Sequence, residues 1–275
     1  MSAETEGAVA ARQFRRDHHL GTQPLGDLIT IIEQTTGIDV AVLDAGPDEH
    51  GLTMRDPARG AVFVAVARTD RPMRQRSTLA HELGHILFED WTTQPVGSAG
   101  PRPYEEIRAD AFARHLLIPV EGLAEVLRAS TGLDVDTLSL VVQRFEVSPA
   151  VAAIALEQGG YIDPATKDAW RKLTTPGLAG RYGWSDQYRA LQHDSMQARA
   201  PQRLLARAIE GYIENVVSPQ TIAALRRVDA REVEDELRSV GVEPRPLTAD
   251  WGDASALPAV DVDLSELDML EDPGC

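Results

Sequence analysis

Residues 81–85 have the sequence HELGH, and this short segment constrains the chain more than any other part of it. Side chains four residues apart lie on the same face of an α-helix, so a helix here directs the imidazoles of His81 and His85 toward one point. Ser77 or Thr78 is the predicted N-cap of this helix. Apolar residues at helical spacing predict that its opposite face is buried: Leu79, Leu83, Ile86 and Leu87.

Two imidazoles at this spacing are a frequent pair of zinc ligands. Glu82 lies about 100° around the helix from His81. It is therefore close to a bound metal ion without being a ligand, which is where a general base must lie to take a proton from water at the metal. The segment predicts a zinc site with Glu82 as the catalytic base. Since a pattern this short also occurs by chance, the prediction depends on a third ligand.

The third ligand is predicted to be Glu106. A catalytic zinc ion keeps three protein ligands and leaves one position open. A histidine six residues after His85 is one known arrangement, but position 91 is a tryptophan. Glu89 shares the histidine face, but it lies about 12 Å along the helix from His81, which is too far for both to share one ion.

A second helix, predicted over residues 104–118, places Glu106. The turn-rich segment 90–103 allows the chain to reverse before it, and Pro119 ends it. Asp110, one turn after Glu106, is predicted to accept the second N–H of a ligating histidine and to fix its tautomer. Small residues on the same face allow a close approach to the histidine helix: Ala109 and Ala113.

Two other side chains of this second helix compete for the metal. Glu105 points to a different face and is predicted to be a solvated charge. His115 lies about two and a half turns beyond Glu106 and is predicted at the surface. An oxyanion donor is also expected, and Tyr104 is suggested for it only by its closeness to Glu106 in sequence.

At this point the sequence resembles the ImmA/IrrE family of bacterial metallopeptidases. The resemblance is carried by residues 74–85 (RQRSTLAHELGH) and 106–119 (EIRADAFARHLLIP), and it covers about residues 21–160. The second segment is as informative as the first, because unrelated zinc peptidases share the histidine pattern but not this helix. Ser77 departs from the aromatic residue more usual there, which concerns packing rather than chemistry. The resemblance implies a cytoplasmic enzyme that cleaves a helix-turn-helix repressor in a mobile element, a phage or a stress response.

The predicted fold class is α+β. A helix that ends near Gly37 precedes three short strands, which form a small sheet beside the zincin-like pair of active-site helices. The exposed edge of this sheet either binds an extended substrate or is covered in the ordinary way, and the sequence leaves both open. The strands are predicted at 38–43, 51–54 and 61–67, and the later helices at 120–129, 135–145, 149–157, 201–216, 219–227 and 230–240.

Three regions are predicted along the chain. Residues 1–160 form the ImmA/IrrE-like metallopeptidase domain, and residues 161–245 form a helical C-terminal region, of which 161–200 is polar and mixed. Residues 246–275 contain eight acidic residues and no basic one, so this tail is predicted to be disordered.

Composition restricts the partners and the compartment. The net charge of −16 argues against direct binding of nucleic acid or anionic membranes, but favours a basic protein partner such as a DNA-binding repressor. No apolar run reaches the 18 residues of a membrane span, and residues 1–20 lack the apolar core of a secretory signal. The only cysteine is Cys275, which excludes a disulfide within the chain and fits a reducing cytoplasm.

Two functions remain after this reasoning. The first is a zinc-dependent metalloendopeptidase. The second is a non-enzymatic regulator that keeps a structural metal site and sequesters a repressor. The presence of Glu82 favours the enzyme, because a structural site does not need a base at this position.

Overall fold

A computed structural model describes residues 1–45, 51–58, 60–91, 102–128 and 133–246 of the chain. Within these ranges the protein is α+β, as predicted, with one small sheet near the N-terminus and a mostly helical remainder. The predicted disordered tail lies outside the described residues, apart from Pro246, and so does most of the turn-rich segment before the second active-site helix.

Two capped helices precede the sheet. Helix α1 spans Ala3–Asp17 and is capped by Ser2, whose side chain accepts a hydrogen bond from the backbone N–H of Thr5. Helix α2 spans Leu28–Thr36 and is capped in the same way by Asp27. It ends at Gly37, which has a φ of 68° and takes the left-handed conformation that glycine adopts without strain.

The sheet has three strands in the order β1-β3-β2. β1 is parallel to β3, and β2 is antiparallel to β3. Alternating valines bury one face, with Val40 and Val42 on β1 and Val64 and Val66 on β3. The bounds lie within one residue of those predicted: β1 is Asp39–Leu43, β2 is Gly51–Arg55 and β3 is Val62–Ala67.

Helix α3 spans Pro72–Leu87 and carries the HELGH segment. The predicted start at Ser77 or Thr78 is wrong by more than one turn. The helix begins instead at Pro72, because proline at the first helical position has a suitable φ and lacks only an N–H that would have no partner there. Its predicted buried stripe is confirmed at Leu79 and Leu83, which are buried, but Leu87 at the end of the helix is exposed.

Helix α4 spans Tyr104–Leu117 and packs closely on α3. The contact depends on small residues. A Cβ atom added at Gly84 would lie 3.2 Å from the ring of Phe112 and 3.3 Å from the Cα atom of Ala109. The glycine of the HELGH segment therefore lets α4 bring Glu106 toward the histidines.

Helix α1 covers the other side of α4. Gly7 makes this contact possible, since an added Cβ atom would lie 2.5 Å from the carbonyl oxygen of Arg108 and 2.7 Å from the nitrogen of Phe112. Ion pairs join the same two helices, among them Glu6 with Arg108 at 2.8 Å. The N-terminal helix is thus fixed to the helix that holds Glu106.

The remaining helices of the described residues all follow α4 in the chain. The polar segment 161–200, for which no helix was predicted, contains α8, α9 and α10, because a few large anchors rather than a periodic stripe bury them. Trp184 is one such anchor, and its indole N–H donates to Ser139 at 2.9 Å. The bounds are α5 Val120–Leu127, α6 Val135–Phe145, α7 Pro149–Gln158, α8 Pro164–Trp170, α9 Thr175–Tyr182, α10 Ser185–Ser195, α11 Gln202–Ile213, α12 Pro219–Arg226 and α13 Ala230–Ser239.

Buried apolar residues form two clusters. The larger one extends from α1 to Tyr188 in α10, and so includes residues on both sides of position 160. The smaller one joins α11, α12 and α13 around Ile222 and Val233. The predicted domain boundaries stay a prediction.

A helix that crosses a bilayer needs about 20 consecutive, mostly apolar residues, and the described helices are shorter than this. None is by itself long and apolar enough to cross a bilayer. The pair α6 and α7 reaches the required length and composition only when joined across a bend of 108°.

Candidate metal centre

The structure brings His81, His85 and Glu106 together at the contact between α3 and α4. The Nε2 atoms of the two histidines lie 3.0 Å apart. The carboxylate of Glu106 lies across from both, with Oε2 3.4 Å from Nε2 of His81 and Oε1 3.3 Å from Nε2 of His85. Each of the three residues therefore offers a ligand atom to one site, with the three atoms within 4.8 Å of one another.

These distances fit a tetrahedral metal ion. Zinc bonds to nitrogen and carboxylate oxygen are about 2.0–2.2 Å long, so two ligand atoms of one tetrahedron lie about 3.3 Å apart. Two histidines and one glutamate are also a donor set of catalytic zinc, which leaves the fourth position open. The three side chains are partly buried rather than solvated. The residues present therefore fit the metal that the sequence predicts.

Asp110 orients His81. The Nδ1 atom of His81 lies 2.8 Å from Oδ1 of Asp110, as the sequence analysis expects for a tautomer-fixing carboxylate. Burial raises the pKa of Asp110, but hydrogen bonds from His81 and Arg102 lower it by more, so the net shift is downward. Asp110 is therefore a carboxylate at neutral pH, and it keeps the proton of His81 on Nδ1, with Nε2 directed to the metal centre.

The same surroundings act on His81 itself. Burial lowers the pKa of His81, but the hydrogen bond to Asp110 and the charges of Glu106 and Glu82 raise it by more, so the net shift is upward. The charge of Glu82 thus contributes to the raised pKa of His81, although Glu82 is not one of the three candidate ligands. This is the relation that a general base requires.

Asp90 faces Nδ1 of His85, the ring nitrogen that is not directed to the metal centre. The sequence analysis did not predict this residue. Its Oδ2 atom lies 3.4 Å from Nδ1 of His85, an ion-pair distance, and both atoms are buried with no hydrogen-bond partner among the described residues. The chain turns back just after α3, with Glu89 at a φ of 57° and the Asp90 N–H on the carbonyl of His85. The one sequence signal for this role is an aspartate three residues after the end of the metal-binding helix. The direction of its side chain depends on that turn.

Arg108 holds Asp90 in place. Its Nη2 atom donates to Asp90 at 2.7 Å and its Nη1 atom to Glu6 at 2.8 Å, while the guanidinium lies 4.0 Å from the ring centre of Phe88. Burial lowers the pKa of Arg108, but its two carboxylate partners raise it by more. A continuous series of charged contacts therefore runs from α1 to His85.

The edge strand β2 holds the predicted base. The hydroxyl of Thr53 donates to Oε2 of Glu82 at 2.6 Å. Gly51 gives the carboxylate its space, because an added Cβ atom would lie 2.6 Å from Oε1 of Glu82. Neither residue carries a sequence signal, since their role depends on how the sheet lies against α3.

The competing candidates lie elsewhere. Glu105 is exposed, as expected. His115 is partly buried and bonds to Glu4 at 3.0 Å, so its predicted surface position is wrong; α1 covers that face of α4. The hydroxyl of Tyr104 donates to Glu6 at 2.8 Å, which ties it to α1. Arg102, which pairs with Asp110, is the cation beside the site and is 55% exposed.

Comparison with known families agrees with this geometry. Residues 33–157 match the family model described as the IrrE N-terminal-like domain, of peptidase family M78. The predicted resemblance to the ImmA/IrrE family is thereby confirmed for this region, which contains Glu82 and all three candidate ligands. The match supports a metallopeptidase of the ImmA/IrrE type. A search of curated proteins found no match to the chain.

Proposed function

We propose that the protein is a zinc-dependent metalloendopeptidase that cleaves a helix-turn-helix transcriptional repressor. The observation that carries the proposal is the cluster of ligand atoms from His81, His85 and Glu106: the two Nε2 atoms lie 3.0 Å apart, and each has a carboxylate oxygen of Glu106 within 3.4 Å. Zinc, when bound there, supplies a Lewis acid that polarises the scissile carbonyl and lowers the pKa of the attacking water.

The chain's own residues perform the proton transfers. Glu82 takes a proton from the attacking water and gives it to the leaving amine. Thr53 fixes the direction of the Glu82 carboxylate through its 2.6 Å hydrogen bond. Asp110 and Asp90 fix the two histidine rings, so that both present Nε2 to the metal.

The edge of β2 is the proposed docking site for the peptide. Among the described residues, β2 pairs with β3 on one side only, and Gly51 and Thr53 of this strand lie against Glu82. An extended segment can add to such an edge through backbone hydrogen bonds. This arrangement suits cleavage within a chain, because a strand can extend past the site in both directions.

The repressor is proposed from the resemblance and from charge. A protein with a net charge of −16 attracts a basic DNA-binding partner and repels nucleic acid, which fits action on the repressor in the cytoplasm without contact with DNA. The non-enzymatic alternative has less support. A site that only sequesters a partner has no use for a carboxylate held by Thr53 beside the metal ligands.

The test compares wild-type protein with Glu82→Gln on repressors encoded beside the gene, with zinc content measured in both. We expect the variant to bind zinc equally and to cleave about 10²–10⁴-fold more slowly, which is the usual contribution of a general base. Glu105→Gln is the matched control, since this neighbouring glutamate is exposed. Equal cleavage by wild type and Glu82→Gln would contradict the mechanism. Binding of a repressor without cleavage by zinc-loaded wild type would favour the regulator.

A further inference from the structure

A pocket of about 410 Å³ lies at the C-terminal end of α1, where this helix meets the following turn and the start of α5. It is far from the metal centre, because α4 approaches it with Leu116, about 15 Å along the helix from Glu106. The charged and titratable side chains that line it are Arg12, Arg15, Arg16, His19 and Glu121. Three guanidinium groups thus face one carboxylate in a chain of net charge −16.

Arg15 is the central residue of this pocket. It is only 4% exposed, yet its hydrogen bonds go to backbone carbonyls rather than to a carboxylate: Nε to Leu116 at 2.8 Å, and Nη1 to Gly21 at 2.7 Å and Gln23 at 3.1 Å. Its Nη2 atom is buried and has no partner among the described residues. Burial lowers the pKa of Arg15 to about 10, which still leaves the guanidinium charged at neutral pH.

A buried charge with no directly bonded counter-ion is costly, and Glu121, the one carboxylate among the described residues that line the pocket, acts on Arg15 through its charge without a hydrogen bond. Arg12 and Arg16 add positive charge, and within the described part of the chain neither forms an ion pair. The first turn of α5 also borders the pocket, and its N-cap, Pro119, offers no side-chain hydrogen bond to the N–H groups there. A helix N-terminus of this kind favours a negative charge.

We propose that this pocket binds the phosphate group of a small soluble ligand. Such a group provides the counter-ion for Arg15, and it accepts hydrogen bonds from the exposed Arg12 and Arg16 in the geometry that guanidinium groups prefer. The overall negative charge argues against nucleic acid and anionic membranes as sources of the phosphate, because both repel an acidic protein over a longer range. A pocket of about 410 Å³ has the size of a small-molecule site.

Isothermal titration of the full-length, zinc-free protein with inorganic phosphate and with pyrophosphate tests the proposal at constant ionic strength. Removal of zinc excludes binding at the metal centre. The double variant Arg12→Gln, Arg16→Gln is compared with Arg189→Gln, Arg238→Gln, which removes two exposed arginines elsewhere. Substitution of Arg15 is avoided, because its hydrogen bonds also hold the turn after α1. Wild type and the control are expected to bind saturably, and the pocket variant at least about tenfold more weakly.

Three results would overturn the proposal. The first is the absence of saturable binding of either phosphate compound by wild type. The second is equal affinity of the pocket variant and its control, which would place the anion elsewhere on the protein. The third is binding of an oligoglutamate peptide, but of neither phosphate compound, which would identify an acidic protein segment as the partner.

Discussion

At the scale of single residues, the candidate site divides into side chains that spacing predicts and side chains that only the fold can place. His81, Glu82 and His85 belong to one helix, so their relative directions follow from helical geometry. Asp90 and Thr53 depend on a turn after the helix and on the position of an edge strand. Sequence spacing does not determine either of these.

Asp90→Ala is expected to weaken zinc binding about 10–100-fold, because His85 loses the carboxylate that faces its Nδ1 atom. Zinc affinity, measured by competition with a chromophoric chelator, checks this without any substrate. Asp163→Ala is the control, since Asp163 caps α8 away from the metal centre. Unchanged affinity in Asp90→Ala would show that the contact does not orient His85.

Thr53→Val is expected to lower kcat about tenfold while zinc occupancy stays the same, because a hydrogen bond to a charged carboxylate is lost. Thr53→Ser keeps the hydroxyl and is expected to restore most of the rate. Steady-state kinetics on a cleaved repressor separates kcat from KM. A Thr53→Ser variant as slow as Thr53→Val would assign the effect to packing of the side chain instead.

At the scale of helices and strands, the sequence predicted the elements with strong periodicity and missed those without it. β1, β3 and α4 lie within about one residue of their predicted bounds, since alternating valines mark the two strands and a proline ends the helix. The predicted start of helix α3 lies too late in the sequence, because the first turn depends on Pro72 rather than on a side-chain cap. Helices α8 to α10 were missed because tertiary contacts of Trp170, Trp184 and Tyr188 define them.

The close packing of α1 on α4 gives a prediction at this scale. Gly7→Ala is expected to destabilise the protein by about 1–3 kcal/mol, because the new Cβ atom would lie 2.5 Å from a backbone oxygen of α4 and 2.7 Å from a backbone nitrogen. Urea denaturation gives the free energy of unfolding. Gly26→Ala is the control, as an added Cβ atom there meets nothing within 4 Å. Equal stability of the two variants would mean that α1 and α4 pack less tightly than these distances indicate.

At the scale of the whole molecule, the metal centre lies where three layers meet. The sheet supplies the strand beside Glu82, α3 and α4 supply the ligands, and α1 supports α4 from behind. The fold class followed from the sequence because each layer has its own hydrophobic pattern. The continuation of the main core through α10 did not follow, since the apolar residues that bury those helices are few and widely spaced.

The most direct test is to locate zinc in the loaded protein by anomalous X-ray diffraction. We predict one zinc ion bound by Nε2 of His81, Nε2 of His85 and a carboxylate oxygen of Glu106, with bonds of about 2.0–2.2 Å and a fourth position facing Glu82. Zinc bound elsewhere, or bound by the histidines without Glu106, would contradict the account.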